Sequence, residues 1–223
     1  MTNQEKVNVL LSWLKTNIPV GPGILIPVSG GSDSALCFWL CNQVFKEHTK
    51  GISIGTELRS KEWFDAVGEV VLHDAAFVGE NPEVARWAHF LTVCLAENRI
   101  LLGSRNHTES ILGTFSNASR VATFFPLAGL WKHEVMELCD FIGIPEEITA
   151  SSKRADPECG RPEKMADIQY EAVDRFLQEK RGAAVDTSLD EPSPEQREYL
   201  ENVYAQNSYK ADLPLVGPIT DIR

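Results

Sequence analysis

The sequence feature that most constrains this chain is a short apolar run, Ile24-Leu25-Ile26-Pro27-Val28, feeding Ser29-Gly30-Gly31-Ser32-Asp33-Ser34, followed by an apolar stretch of helical length and spacing from Ala35 to Phe45. The run has strand length and the stretch has helix length, so the local unit is strand, glycine turn, helix. Such a unit gathers backbone N–H groups, hydroxyls and the positive end of a helix around one small volume, and that volume suits an anion. Two adjacent glycines permit backbone angles and a close approach that a side chain would block. Asp33 can hold a magnesium ion beside a bound phosphate. An isolated glycine pair is ordinarily just a flexible turn; the strand before this one and the long apolar helix after it point instead to a binding loop.

The same order repeats along the chain. Val7, Leu10, Leu11 and Leu14 give a helix over about residues 4 to 16 that ends before Pro19. The expected succession is then a strand at 51–56, a helix at 61–68, a strand at 69–72, a helix at 82–97 and a strand at 99–103. A helix from about Trp131 to Ile142 stops at Gly143-Ile144-Pro145. Further helices are expected at 166–178 and 195–207, with a Gly-, Ser-, Asp- and Pro-rich segment at 181–194 expected to be a mobile loop. Alternation of this kind predicts an α/β fold, a doubly wound, mostly parallel sheet flanked by helices, in a single domain over residues 1–223.

Composition narrows the function classes. Formal net charge is −11, which argues against wrapping a nucleic-acid backbone, since that binding draws on a basic face. No apolar run approaches the roughly 20 residues needed to cross a bilayer, and the expectation is a soluble cytoplasmic protein without a membrane partner. The five cysteines (Cys37, Cys41, Cys94, Cys139, Cys159) are an odd number, and most fall in apolar helical patterns, so neither a disulfide framework nor a zinc site is indicated. Small-molecule chemistry is the better fit.

The loop matches in full the Ser-Gly-Gly-X-Asp-Ser signature of the PP-loop, or N-type ATP pyrophosphatase, enzymes, which the chain therefore resembles. Leu101-Leu102-Gly103-Ser104-Arg105-Asn106-His107-Thr108-Glu109 looks like the Gly-Thr-X-Asn-X-X-Glu segment of the NAD synthetases. Pro126-Leu127-Ala128-Gly129-Leu130-Trp131-Lys132-His133-Glu134-Val135 is similar to their Pro-Ile/Leu-X-X-Leu-X-Lys-X-Glu-Val run. Weaker matches follow in family order: Ile144-Pro145-Glu146-Glu147-Ile148, Arg154-Ala155-Asp156 with Glu163, Tyr170-Glu171-Ala172-Val173-Asp174, and Glu201-Asn202-Val203-Tyr204 with Ser208-Tyr209-Lys210. The resemblance implies the adenine nucleotide alpha-hydrolase-like (PP-loop) fold, with ATP bound at Ser29, Gly30, Gly31, Ser32, Asp33, Ser34 and Lys132, magnesium on Asp33 and Glu109, and Asp33, Lys132 and Glu109 as the catalytic set. It implies that a carboxylate, deamido-NAD in the family, is adenylylated and then amidated by ammonia, in a homodimer. With 223 residues leaving no room for an attached glutamine-hydrolysing domain, the nitrogen is expected from free ammonia or a separate partner.

Departures from the family pattern fall on the acceptor side. Phe115 to Phe125 stands where the synthetases carry a Lys-Tyr-Gly-Asp-Gly-Gly-type loop, Gly160 to Asp167 departs from Gln-Thr/Ser-Asp-Glu, and the stretch between Glu57 and Asn81 is short. Alternatives therefore stay open: an amide-forming enzyme acting on another carboxylate, such as a mononucleotide, or a non-catalytic nucleotide-binding relative. Arg120, Arg154 and Arg161 are candidates to anchor an anionic substrate, although exposed arginines are more often solvated. His107 is a candidate for proton transfer near Glu109, and Cys159 a minor one for sulfur transfer; His73 and His133 carry no signal.

Overall fold

The computed structural model describes residues 1–19, 21–74, 81–151 and 163–212. The chain starts with α1 (Asn3–Asn17), whose N-terminus is closed by a reciprocal pair: Glu5 N donates to Thr2 Oγ1, and Thr2 N to Glu5 Oε2. Then come β1 (Gly23–Pro27), α2 (Ser32–Phe45), β2 (Thr49–Ile54), α3 (Lys61–Val67), β3 (Glu69–His73), α4 (Pro82–Ala96) and β4 (Arg99–Leu101). After these the chain is helical: α5 (His107–Leu112), α6 (Lys132–Ile142), α7 (Glu146–Ser151), α8 (Glu163–Ala166), α9 (Tyr170–Arg181) and α10 (Pro194–Asn207).

The four strands form one parallel sheet in the order β3-β2-β1-β4. Successive residues of a strand point to opposite faces, and both faces of β1 are buried, which is why its sequence is continuously apolar rather than alternating. Ile24 and Ile26 pack with α1, α2, α3 and α6 in the main core, while Leu25 packs with Ile52, Leu101 and the α4 residues Phe90 and Cys94 on the other side. A third apolar cluster joins Leu112 of α5 to Val173, Phe176 and Leu177 of α9 and Leu200 of α10. All four cysteines among the described residues are buried free thiols, in line with the packing role expected of them.

The strand order reverses at β1: the chain moves from β1 to β2 on one side and returns to β4 on the other. The crevice at the carboxyl ends of β1 and β4 is the usual ligand position in such sheets. The 29–34 loop and the 102–109 segment leave those two strand ends side by side, and Leu102 N donates to Leu25 O at 3.0 Å.

Some boundaries differ from expectation. The second strand runs 49–54 rather than 51–56, because pairing with β1 begins at Thr49 and the last pair with β3 is Ile54 with His73, before Gly55 turns the chain at φ +136. The helix expected at 166–178 is α9 at 170–181; its start is set by Gln169, and its end by Gly182 at φ +63 after Lys180 and Arg181. Thr123 N donates to Leu101 O at 3.0 Å and Gly103 N to Phe124 O at 2.9 Å, so residues 123–124 add a rudimentary edge beside β4 that the sequence pattern does not announce. In the segment 181–194, Asp186 N donates to Gln178 Oε1 at 2.8 Å and Arg175 Nη1 to Leu189 O at 3.0 Å.

Phe38 is fully buried and meets Phe64 with ring centroids 5.9 Å apart, locking α2 and α3 together on the sheet. Phe38→Ala is expected to cost about 3–5 kcal/mol, the usual range for emptying such a site. Urea denaturation of the purified variant checks this, and a loss under about 1 kcal/mol would mean that the core here collapses without penalty.

Candidate active site

Helix α2 begins after Gly31, a residue with no side chain to cap it. Gly30 sits at φ +77, a left-handed conformation that suits glycine and turns the chain from β1 into the helix. Within the loop, Ser34 Oγ donates to Gly31 O at 2.9 Å and accepts from Ser29 N at 3.2 Å. Gly31 N donates to Ser29 Oγ at 3.4 Å. These short-range bonds hold the turn open around the helix end.

Asp33, in the first turn of α2, faces two partners from other elements. Lys132 Nζ, from the first residue of α6, forms an ion pair with Asp33 Oδ2 and also donates to Ser32 Oγ at 2.8 Å. Asn106 Nδ2 donates to Asp33 Oδ1 at 2.7 Å. Asn106 is 1% exposed and is also the N-cap of α5, accepting from Glu109 N at 2.9 Å while Asn106 N donates to Glu109 Oε2 at 3.2 Å. One asparagine thus links Asp33 and Glu109, and both of its bonds agree on the orientation of its amide.

Glu109 is pushed up to about 7 by burial first and by the charge of Asp33 second, against the pull of Lys132, the Asn106 amide and Arg105. The structure therefore brings Asp33, Glu109, Lys132 and Ser32 together at the α2 terminus. Two carboxylates whose mutual repulsion is only partly relieved by one lysine are a donor set that fits a divalent cation.

His107 opens α5. Its Nδ1 donates to Ala128 O at 3.0 Å, and its ring stands edge-on to Trp131 at 4.5 Å between centroids, so one nitrogen is committed to holding the 128–131 turn. Arg120 donates through Nη2 to Lys210 O at 2.5 Å, a backbone contact between the 115–125 segment and the residues after α10. Arg154, Cys159 and Arg161 lie outside the described residues, as does the side chain of Glu163.

Sequence reasoning missed what holds Lys132 in place. Trp131 precedes α6 and has no oxygen with which to cap it, so the cap comes from elsewhere: Lys132 N donates to Thr108 Oγ1 at 2.8 Å and His133 N to Asp174 Oδ2 at 2.8 Å. Asp174, fully buried in α9, also accepts from His133 Nδ1 at 2.8 Å and from the Thr108 hydroxyl. Thr108 adjoins Glu109, so one buried carboxylate ties the backbone carrying Lys132 to the backbone carrying Glu109. The available signal was weak: an acid amid the apolar positions of an amphipathic helix, and a histidine directly after the motif lysine.

A family model described as NAD synthase matches residues 76–214, more than half of the chain, and the chain belongs to that family. The matched span holds Asn106, Glu109, Lys132 and Asp174, whereas the 29–34 loop precedes it. Among solved structures, an NMN synthetase from Francisella tularensis is similar at 20% identity and a TM-score of 0.76, over 97% of this chain and 99% of that one. An NH3-dependent NAD synthetase from Campylobacter jejuni is similar at 19% identity and a TM-score of 0.66, over 97% of each chain. A glutamine-dependent NAD+ synthetase from Acinetobacter baumannii is similar at 18% identity and a TM-score of 0.51, over 97% of this chain and 46% of that one. These likenesses show the PP-loop α/β fold of the NAD synthetases. Family membership makes the chain an ATP-dependent ligase of NAD synthesis. No helix among the described residues is long and apolar enough to cross a membrane.

Burial disfavours the His133 imidazolium, but Asp174, with Glu134 and Glu137, favours it more, so its pKa is raised. A histidine raised in the fold adds its stability in full below its unfolded pKa of about 6.5 and loses it as pH rises through the folded value. Asp174→Asn is therefore expected to cost about 3 kcal/mol at pH 6 and less above pH 8. Urea melts of both proteins at the two pH values check this; an equal cost at both would show that the His133 charge contributes nothing.

Proposed function

We propose that this enzyme adenylylates the carboxylate of deamido-NAD with ATP and amidates it with ammonia, releasing pyrophosphate and AMP. The observation that carries the reading is the convergence of Ser32, Asp33, Lys132, Asn106 and Glu109 on the start of α2. In the first step a carboxylate oxygen of the acceptor attacks the α-phosphorus and the bond to the β-phosphate oxygen breaks. Negative charge grows on the leaving pyrophosphate, where the first N–H groups of α2, the hydroxyls of Ser29, Ser32 and Ser34, and the Lys132 ammonium are placed to meet it. In the second step ammonia attacks the acyl carbon, AMP departs and the ammonium proton is lost to solvent. No protein nucleophile is needed.

Asp33 and Glu109 would hold magnesium, which supplies charge neutralisation across the phosphates. For Glu109 the proton competes with the metal. Below pH about 7 the carboxyl is protonated, so magnesium affinity is expected to fall by up to about tenfold per pH unit from pH 7 to pH 5.5 and to level off above pH 8. Glu109→Gln should flatten that dependence. Magnesium titrations followed calorimetrically in the presence of an ATP analogue check both, and a wild-type affinity that does not change with pH would remove Glu109 from the metal set.

The same proposal takes residues 1–223 as one catalytic unit working as a homodimer on ammonia, free or delivered by a separate partner. A different acceptor is the second reading, favoured by the Phe115 to Phe125 segment, which lacks the residues that serve the nicotinate end in the family. One structural neighbour is an NMN synthetase by name, so the mononucleotide belongs among the acceptors to assay. Pyrophosphate release and product mass with ATP, magnesium, ammonium and each acceptor decide between them. NAD formation that falls by at least about 1000-fold in Asp33→Ala is the expected result. Nucleotide binding at the loop without pyrophosphate release on any nicotinate nucleotide would overturn the ligase reading.

A further inference from the structure

Arg105 occupies the position that the Gly-Thr-X-Asn-X-X-Glu pattern leaves open, one residue before Asn106, and nothing in the mechanism above uses it. Its guanidinium carbon lies 3.8 Å from the centroid of the Phe115 ring and 4.3 Å from that of Phe125. Gly103 makes room for this packing, since a Cβ there would stand 2.2 Å from Phe125 Cε1. Two more cations share the Phe115 ring: the Arg120 guanidinium at 5.2 Å and Lys210 Nζ at 5.8 Å from its centroid. In a chain of net charge −11, three cations gathered on one ring are a local exception that costs mutual repulsion.

The aromatic faces offset only part of that cost. Nε and Nη1 of Arg105 are buried and have no hydrogen-bond partner among the described residues. A cation–π contact is worth about 1–2 kcal/mol and does not replace hydrogen bonds to a buried charge. Burial first, and the charge of Arg120 second, pull the Arg105 pKa below the usual arginine value, while Glu109 pulls the other way. An unmet guanidinium of this kind, within the electrostatic reach of Glu109, has the chemistry of a site awaiting an oxyanion.

We propose that Arg105, with Arg120 and Lys210 around Phe115, forms the subsite for a phosphate group of the acceptor nucleotide. This rests on the reading that the acceptor carboxylate is activated beside Asp33, Glu109 and Lys132. The carboxylate loses its charge on adenylylation and cannot anchor the acceptor through both steps, whereas a phosphate elsewhere on the molecule keeps its charge throughout. The guanidinium fork matches two phosphate oxygens, and the ammonium of Lys210, held by Gly113 O at 3.0 Å and Phe115 O at 3.4 Å, adds positive charge beside the Phe115 ring. The two unpartnered nitrogens are buried, so a phosphate reaches them only if a neighbouring side chain moves, and the proposal assigns that movement to Phe115, which is only partly buried and 3.8 Å from the guanidinium. The subsite makes the enzyme select phosphorylated acceptors over their nucleosides.

Calorimetric titration of ribose 5-phosphate, and of ribose as the uncharged control, into wild type, Arg105→Gln and Arg105→Lys tests the subsite. A non-hydrolysable ATP analogue is included at saturation to fill the 29–34 loop. Ribose 5-phosphate is expected to bind wild type and ribose not to. The glutamine variant should bind the phosphate at least about tenfold more weakly, and the lysine variant should lose less. The thermal midpoint of Arg105→Gln should hold or rise, because the substitution removes an unsatisfied buried charge. A purely structural guanidinium predicts the reverse, a lowered midpoint with phosphate affinity unchanged. Affinity of Arg105→Gln within about twofold of wild type, or no binding of ribose 5-phosphate by wild type, overturns the proposal. If the glutamine variant does not fold, the lysine variant carries the comparison, and an undiminished affinity there together with a null effect of Lys210→Ala overturns it equally. Failure of the ATP analogue to bind would instead remove the adenylylation reading, and the ribose 5-phosphate titrations would still decide the subsite.

Discussion

The contact on which the rest of the site depends is the ion pair between Asp33 and Lys132, because it joins the first turns of two helices that the sequence places a hundred residues apart. Their side chains are 20% and 12% exposed, so both charges have given up much of their water. A pair in that position adds little net stability, since desolvation cancels most of the attraction, but removing either partner leaves the other charge with neutral hydrogen-bond partners alone and no counter-ion. Its value is positional. The helix start that offers N–H groups, the lysine and the first carboxylate are held as one object before any ligand arrives. The entropy of arranging them is spent in folding rather than in binding.

That object is fixed from behind by a second one. Asp174 holds the start of α6 through His133 and reaches α5 through Thr108, while Asn106 joins α5 to Asp33. Three helix starts, those of α2, α5 and α6, thereby lean on one another through side chains, Asn106 capping α5 while it also holds Asp33. The exchange has a physical logic. A cap from the N-cap residue's own side chain would occupy donors that a phosphate needs, and α2 has a glycine there, whereas α5 and α6, which present side chains, are capped by Asn106 and by Thr108 and Asp174.

Much of this was legible in the sequence. The parallel α/β architecture follows from alternating apolar runs of strand and helix length, and the loop declared itself because Gly30, Gly31, Asp33 and three serines sit at a strand-to-helix junction. Glu109 and Lys132 could be named only through ordered family motifs, since an isolated acid or lysine at a helix start carries no chemistry of its own. The trans caps were illegible because hydrogen bonds between Thr108, His133 and Asp174 span up to 66 residues of sequence and leave no periodic trace. The shift of α9 from 166–178 to 170–181 has a similar origin: packing of Val173, Phe176 and Leu177 against Leu112 and Leu200 selects which turns are helical, and local propensity does not see those partners.

The acidic surface gives the cations of the site their meaning. A chain of net charge −11 repels ATP and any nucleotide acceptor at long range, and screening confines that repulsion to within about 8 Å at physiological ionic strength. Attraction therefore has to be short-ranged and local, and in the proposed reading Lys132 and Arg105, whose partial burial lowers the effective dielectric around them, would supply it. Phosphate held only where two or three such donors converge is also phosphate held in one orientation. A broadly basic surface would gather nucleotides more readily, but it would not impose the single orientation that the proposed attack on the α-phosphorus requires.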